Sequence, residues 1–182
     1  GSRGNGLEEH ATASVIVDHL APMLRAQGHD VTVIDYPYMD NGGDLAATVR
    51  AINAGNYDIS ISVHCDSSDS PSSRGAHVCH HRTYHDDGTC TDSVQGKDLA
   101  EAIAGPLCKL LPGRADHVQA RPDRSCTPPK SSLYVLRKTN PPAVLVECGF
   151  ISNAGDTDLM KNNPAAIARA IAWGVNTYTQ RK

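Results

Sequence analysis

Two ionisable residues close what read as buried strands, the place where ligands bind in doubly wound α/β sheets. His64 ends the alternating segment Tyr57–His64 (YDISISVH), and Glu147 lies near the end of the apolar run Ala143–Cys148 (AVLVEC), with Gly149 soon after it. A glycine there leaves room for backbone or substrate to come close. A carboxylate among Val144, Leu145, Val146 and Cys148 must be paired, hydrogen-bonded or neutralised by a shifted pKa. A nearby metal ion meets that need, and so does a buried salt bridge to an arginine such as Arg50 or Arg137; Glu147 alone does not choose between them. His64 alone reads as a satisfied strand-end histidine. Together they suit metal-assisted hydrolysis, in which imidazole is a common neutral ligand for Zn2+ and a neighbouring carboxylate is the usual general base.

A third candidate comes from the first helix. Glu8 and Glu9 are adjacent, but helical spacing aligns Glu9 with Ala13, Ile16 and Leu20, whereas Glu8 aligns with Thr12, Val15 and His19. Glu9 therefore points toward the sheet, and Glu8 reads as a first-turn carboxylate that complements the helix dipole. His10, beside the same stripe, is expected to face a neighbouring element. His77, His80, His81 and His85 read as a solvated patch of strand and loop.

The elements that must position these groups follow from periodicity. Glu8–Gln27 carries apolar residues at helical spacing, with Gly28 where a C-terminal cap belongs and Pro22 expected to kink the helix or end its bonding early. Asp30–Tyr36 (DVTVIDY) predicts a strand ending before Pro37, and Leu45–Ala54 a short helix with Asp44 as N-cap. Residues 65–73 predict a loop, Ala76–Tyr84 another strand and Lys97–Leu111 a helix. Pro112–Lys130 reads as a long surface loop, a kind that often carries function. Ser132–Arg137 (SLYVLR) and Ala143–Cys148 predict two more strands, the second central because it is apolar on both faces, and Pro164–Thr179 a last helix opened by proline. Strands alternating with helices predict an α/β fold: a single domain with a mostly parallel twisted sheet flanked by helices on both faces.

Bulk properties exclude several functions. With 182 residues, a net charge of -3 and its 17 Lys and Arg scattered, the chain lacks the basic stripe of a nucleic-acid binder. No apolar run reaches the roughly 18 to 20 residues of a membrane span, and the first twenty residues do not have the order of a signal peptide. The 6 cysteines include no CxxC pair, which argues against a closed structural zinc site. Cys65 and Cys148 are expected to be buried thiols. Cys79, Cys90 and Cys126 fall in polar stretches, where a Cys79–Cys90 disulfide and free thiols both stay open.

The sequence also resembles the zinc amidases of the amidase-3 type, found as bacterial wall hydrolases and phage endolysins. GNGLEEH (Gly4–His10) is similar to that family's segment carrying a glutamate ligand, SISVHCD (Ser60–Asp66) to its S-I-H-A-N ligand strand, and PAVLVECGFISN (Pro142–Asn153) to its catalytic strand. LAATVRAINAGNYDISISVH and LYVLRKTNPP also match in order and spacing, so the resemblance covers nearly the whole chain. It implies Zn2+ as cofactor, Glu9 and His64 as metal ligands, Glu147 as catalytic acid/base and peptidoglycan as substrate, cut between N-acetylmuramic acid and L-alanine. His117 and Arg121 become candidates for contact with a peptide carboxylate. The family's first strand, which ends in a histidine ligand, is absent from residues 1–182, so that ligand is expected upstream of Gly1; His10 is a poor replacement because adjacent helical residues diverge. The resemblance further implies a monomer acting at the cell wall, secreted, periplasmic or released as an endolysin. A non-catalytic wall-binding domain of the same fold and a different zinc peptidase are the alternative readings.

Overall fold

The segments that carry His64 and Glu147 fold as adjacent parallel strands. In a computed structural model that describes every residue except 37–40, 126, 128, 132 and 182, the chain opens with a hairpin, β1 (Arg3–Gly4) and β2 (Leu7–Glu8), followed by α1 (Glu9–Ala26) and α2 (Asn41–Ala54). Strands β3 (Ser60–Asp66), β4 (His77–His80), β5 (Arg82–Tyr84) and β6 (Cys90–Asp92) precede α3 (Val94–Leu110). Next come β7 (Val118–Gln119), β8 (Pro122–Asp123), β9 (Lys130–Ser131), α4 (Tyr134–Lys138), β10 (Ala143–Phe150), α5 (Ala154–Asn162) and α6 (Pro164–Thr179).

The main sheet has the order β3-β10-β4-β7, and β10 is buried at every residue. It is mixed where a mostly parallel sheet was expected: β10 runs parallel to β3 but antiparallel to β4, and β7 runs parallel to β4. A parallel return needs a crossover, usually a helix, and residues 67–76 contain none. Helices cover both faces. Val144, Val146 and Cys148 join Val78 in a large cluster with α1, α3 and α6, while Ala143, Leu145 and Cys79 pack on Val49 and Ile52 of α2 and Val135 and Leu136 of α4. Ile16, Ile103, Leu107, Ile167 and Ile171 are wholly buried in the larger cluster, each worth about 1.5–3 kcal/mol in apolar burial. α3 and α6 meet through Gly174, where a Cβ would lie 2.4 Å from Ile103 Cα.

Several sequence expectations are corrected. Asp30–Tyr36 forms no strand; Val31 packs on the large cluster and Ile34 on the small one, so its alternation reflects side-chain contacts without a backbone partner. Tyr134–Lys138 is a helix and not a strand. Val135 and Leu136 pack in the same cluster, which alternating strand residues could not do. The expected Ala76–Tyr84 strand splits at His81 into β4 and β5, and β5 pairs with β6 in a separate hairpin. α1 runs past Pro22 to Ala26, because Pro22 and Asp18, whose carbonyl Pro22 cannot engage, are both on the exposed side. Gly28 does follow the helix with φ +92, as a C-terminal cap requires. α2 begins at Asn41, leaving Asp44 in its first turn rather than at its cap. The 112–130 segment is not structureless, since it contributes β7 to the main sheet. Cys79 is buried and Cys90 exposed, both as free thiols, so no bridge joins them. Pro37 and Cys126 lie outside the described residues.

Candidate active site

The strand registers place His64, Glu147 and His77 in one row. Glu147 of β10 is paired with His64 of β3 on one side and with His77 of β4 on the other. Because Val63, Val146 and Val78 turn to the large cluster, strand alternation sends all three ionisable side chains to the opposite face. The row lies at the carboxyl ends of β3 and β10, beyond the residues of that face covered by α2 and α4.

Glu9, the first residue of α1, completes one half of the site. Its Oε1 lies 2.9 Å from His64 Nδ1, and its Oε2 accepts the backbone N–H of Ser2 at 2.7 Å. Ser62 Oγ, two residues back along the same face, lies 2.9 Å from His64 Nε2. Burial opposes ionisation of Glu9, but the hydrogen bonds from His64 and Ser2 and the His64 charge bring its pKa down to about 2. The amino-terminal turn is anchored where a Cβ on Gly4 would stand 2.6 Å from the Ile151 carbonyl oxygen. Glu8, in contrast, is exposed and faces Arg3 at 3.3 Å.

The other half gathers around Glu147. Asp66, His77 and Glu147 each offer one donor atom within 4.8 Å of the others, a spacing that could hold a metal ion. Arg121 already reaches into this group. Its Nη2 donates to Asp66 Oδ2 at 2.9 Å, lies 2.6 Å from His77 Nε2 and stands 3.5 Å from Glu147 Oε1. Since guanidinium can only donate, His77 Nε2 is the acceptor and Nδ1 carries the proton. Burial, with the Arg121 and Arg114 charges, drives the His77 pKa down to about 3, so this imidazole is neutral. Glu147 goes the opposite way from Glu9: burial first, then the Asp66 carboxylate, raise it to about 7 against the pull of His64 and Arg121.

Buried Asp156 fixes the frame. Its Oδ2 accepts the N–H of Gly75 at 2.7 Å and of Phe150 at 2.9 Å, tying the approach to β4 to the end of β10. Gly149 (φ +100) lies against it, and a Cβ there would be 3.0 Å from Asp156 Oδ2.

The structure thus brings Glu9, His64 and Glu147 together at the ends of β3 and β10, and adds Asp66 and His77. His77 and His80 are buried, not solvated, because β4 lies inside the main sheet; His81 and His85 stay on the β5–β6 hairpin beside Thr83 and Thr91. The sequence signal for Asp66 was its place two residues beyond His64, and for His77 its alternation with Ala76 and Val78. His10 faces Asp35 at 3.0 Å. His117 is exposed. Neither arginine first considered pairs with Glu147: Arg50 is exposed and Arg137 donates to the Ser131 carbonyl.

The Glu9–His64 donor pair also fits a metal. Ligands on a tetrahedral zinc with bonds of about 2.0 Å sit roughly 3.3 Å apart, close to the observed 2.9 Å, while Glu147 Oε2 is buried without a hydrogen-bond partner. Residues 1–177 match the family model described as N-acetylmuramoyl-L-alanine amidase. The chain belongs to this family. Among its amidase relatives, the N-acetylmuramoyl-L-alanine amidase LytC of Bacillus subtilis (strain 168) is 28% identical over 184 residues, covering 98% of this chain and 32% of LytC, so the chain spans about a third of that relative's length. The catalytic domain of the CD27L endolysin targeting Clostridia Difficile superposes with a TM-score of 0.77 at 25% identity, over 97% of this chain and 87% of that one. The N-acetylmuramyl-L-alanine amidase Ami1 from Mycobacterium smegmatis gives a TM-score of 0.81 over 100% of this chain and 82% of that one; at 21% identity this likeness is one of fold.

Proposed function

We propose that this domain is a zinc-dependent peptidoglycan hydrolase that cuts the amide between the lactyl group of N-acetylmuramic acid and L-alanine of the stem peptide. The observation that carries this reading is the register pairing of His64 with Glu147, with Glu9 hydrogen-bonded to His64, in a chain of the amidase family. Glu9 and His64 serve as metal ligands. A Cβ on Gly1 would lie 3.2 Å from Glu9 Oε2, so the amino-terminal residue packs directly against this proposed ligand. Zinc, when bound, lowers the pKa of water toward about 7 and polarises a carbonyl oxygen.

The chain's own work is proton transfer and exclusion of solvent. Glu147, with its pKa raised to about 7, takes a proton from the attacking water and returns it to the leaving amine. Its burial, on the sheet face that it shares with the buried His77, keeps bulk water from competing for that proton. Asp66, closer to Arg121, stays as the fixed negative partner of the guanidinium. The domain acts at the cell wall, as a secreted or periplasmic enzyme or as an endolysin, and works as a monomer. Elemental analysis of the purified protein together with digestion of purified peptidoglycan tests the proposal. Zinc with release of stem peptides supports it, protein without metal favours a wall-binding domain, and release of terminal amino acids favours a carboxypeptidase.

A further inference from the structure

Asp66, His77 and Glu147 have the spacing of a metal site, yet they already enclose a cation. Arg121 Nη2 is within 2.9 Å of Asp66 Oδ2, 2.6 Å of His77 Nε2 and 3.5 Å of Glu147 Oε1. One nitrogen thus faces all three groups. A second metal ion there would have to expel a guanidinium whose charge faces both carboxylates and whose hydrogen bonds meet Asp66 and His77. We infer that Arg121 is a built-in cation in place of a second metal, and that it is the positioning residue for Glu147 in the proposed amide hydrolysis.

The arrangement has the parts such a device needs. His77 is fully buried and held in β4 by its register with Glu147, so its Nε2 is a fixed acceptor that sets where the guanidinium stands. Asp66, on the neighbouring β3, supplies the charged second anchor. With two anchors, a planar guanidinium cannot swing, and the remaining contact falls on Glu147 Oε1. That leaves Oε2, which has no partner, as the oxygen free to exchange a proton. A lysine would keep the charge, but its freely rotating ammonium lacks the fixed N–H directions that the planar group presents through Nη2 to Asp66 and His77.

The inference rests on the amidase reading, and the experiment separates the two. Wild-type protein, Arg121→Ala, Arg121→Lys and His77→Leu are compared for stem-peptide release, zinc content, thermal unfolding and imidazole 15N shifts. Arg121→Ala should retain one zinc and lose kcat by about 100-fold, the scale of a misplaced reacting group, with KM little changed. Added guanidinium ion should restore part of kcat to Arg121→Ala and none to Arg121→Lys. His77→Leu should lose kcat in the same way without loss of zinc. In the 15N spectrum, His77 should hold its proton on Nδ1 in the wild type and become a mixture of tautomers in Arg121→Ala, a readout that requires no activity. Wild-type protein that releases no stem peptides overturns the amidase reading, while the 15N comparison still judges the Arg121–His77 anchor. An active wild type whose Arg121→Ala variant keeps full kcat, binds a second equivalent of metal, or falls in kcat with no rescue by guanidinium overturns the role of Arg121. Should the alanine variant unfold, the same loss of kcat and shift in His77 tautomer are sought in folded Arg121→Lys, and an unchanged kcat there overturns the inference.

Discussion

His64 and Glu147 are register partners on adjacent parallel strands, so the ladder that builds the sheet also sets the separation of the proposed ligand and the proposed base. A slip of one residue in β10 would send Glu147 to the opposite face, among the apolar side chains of α1, α3 and α6. Fold and site are therefore fixed by the same hydrogen bonds.

Glu147→Gln should keep its zinc and lose activity by about 100-fold to 10,000-fold, the contribution of a general acid/base. Metal content by elemental analysis and muropeptide release by chromatography check this together. Activity in the variant with its zinc intact would remove Glu147 from the mechanism.

The pH dependence follows from the raised Glu147 pKa. As a base it must be ionised, so kcat/KM should climb with pH over the range in which Glu147 loses its proton, and the burial that raises its pKa moves that climb upward from the ordinary carboxylate range. Stability moves the other way: the folded state holds this proton more tightly than the unfolded chain, whose pKa is near 4.5. The metal-free protein should lose stability as pH rises from that value to about 7, by on the order of 3 kcal/mol. Chemical denaturation in chelator at several pH values should show that loss in the wild type and not in Glu147→Gln.

Asp156→Ala should destabilise by about 2–5 kcal/mol, because the buried N–H groups of Gly75 and Phe150 would both be left without an acceptor. Denaturant midpoints measure it. An unchanged midpoint would mean that Asp156 is not the clamp between β4 and β10.

Gly174→Ala should cost about 1–3 kcal/mol, since its Cβ would meet Ile103 Cα at 2.4 Å and force α3 from α6. Thermal unfolding with unaltered zinc content is the expected signature.

The legible parts of the molecule were those in which one residue pattern had one meaning. The apolar run Ala143–Val146 of β10 read as a strand covered on both faces, and helical phase separated Glu9, now bonded to His64, from exposed Glu8. SLYVLR misled because β-branched and aromatic residues also suit a short helix whose neighbours Val135 and Leu136 share one cluster. Strand direction was illegible, because the antiparallel pairing of β4 with β10 depends on a contact between segments far apart in sequence. His77 was read as solvated for a related reason: polar neighbours described its sequence surroundings, while its burial comes from β10 on one side and β7 on the other. The Arg121 contacts join a loop residue to two strands, and no local spacing records them.

Mass spectrometry of the products released from purified peptidoglycan tests the central reading most directly. Stem peptides with a free L-alanine amino terminus, together with glycan strands retaining intact lactyl groups, are the expected products. Release of single terminal amino acids, or of shortened glycan with its peptides still attached, would show that the Glu9, His64 and Glu147 site cuts a different bond.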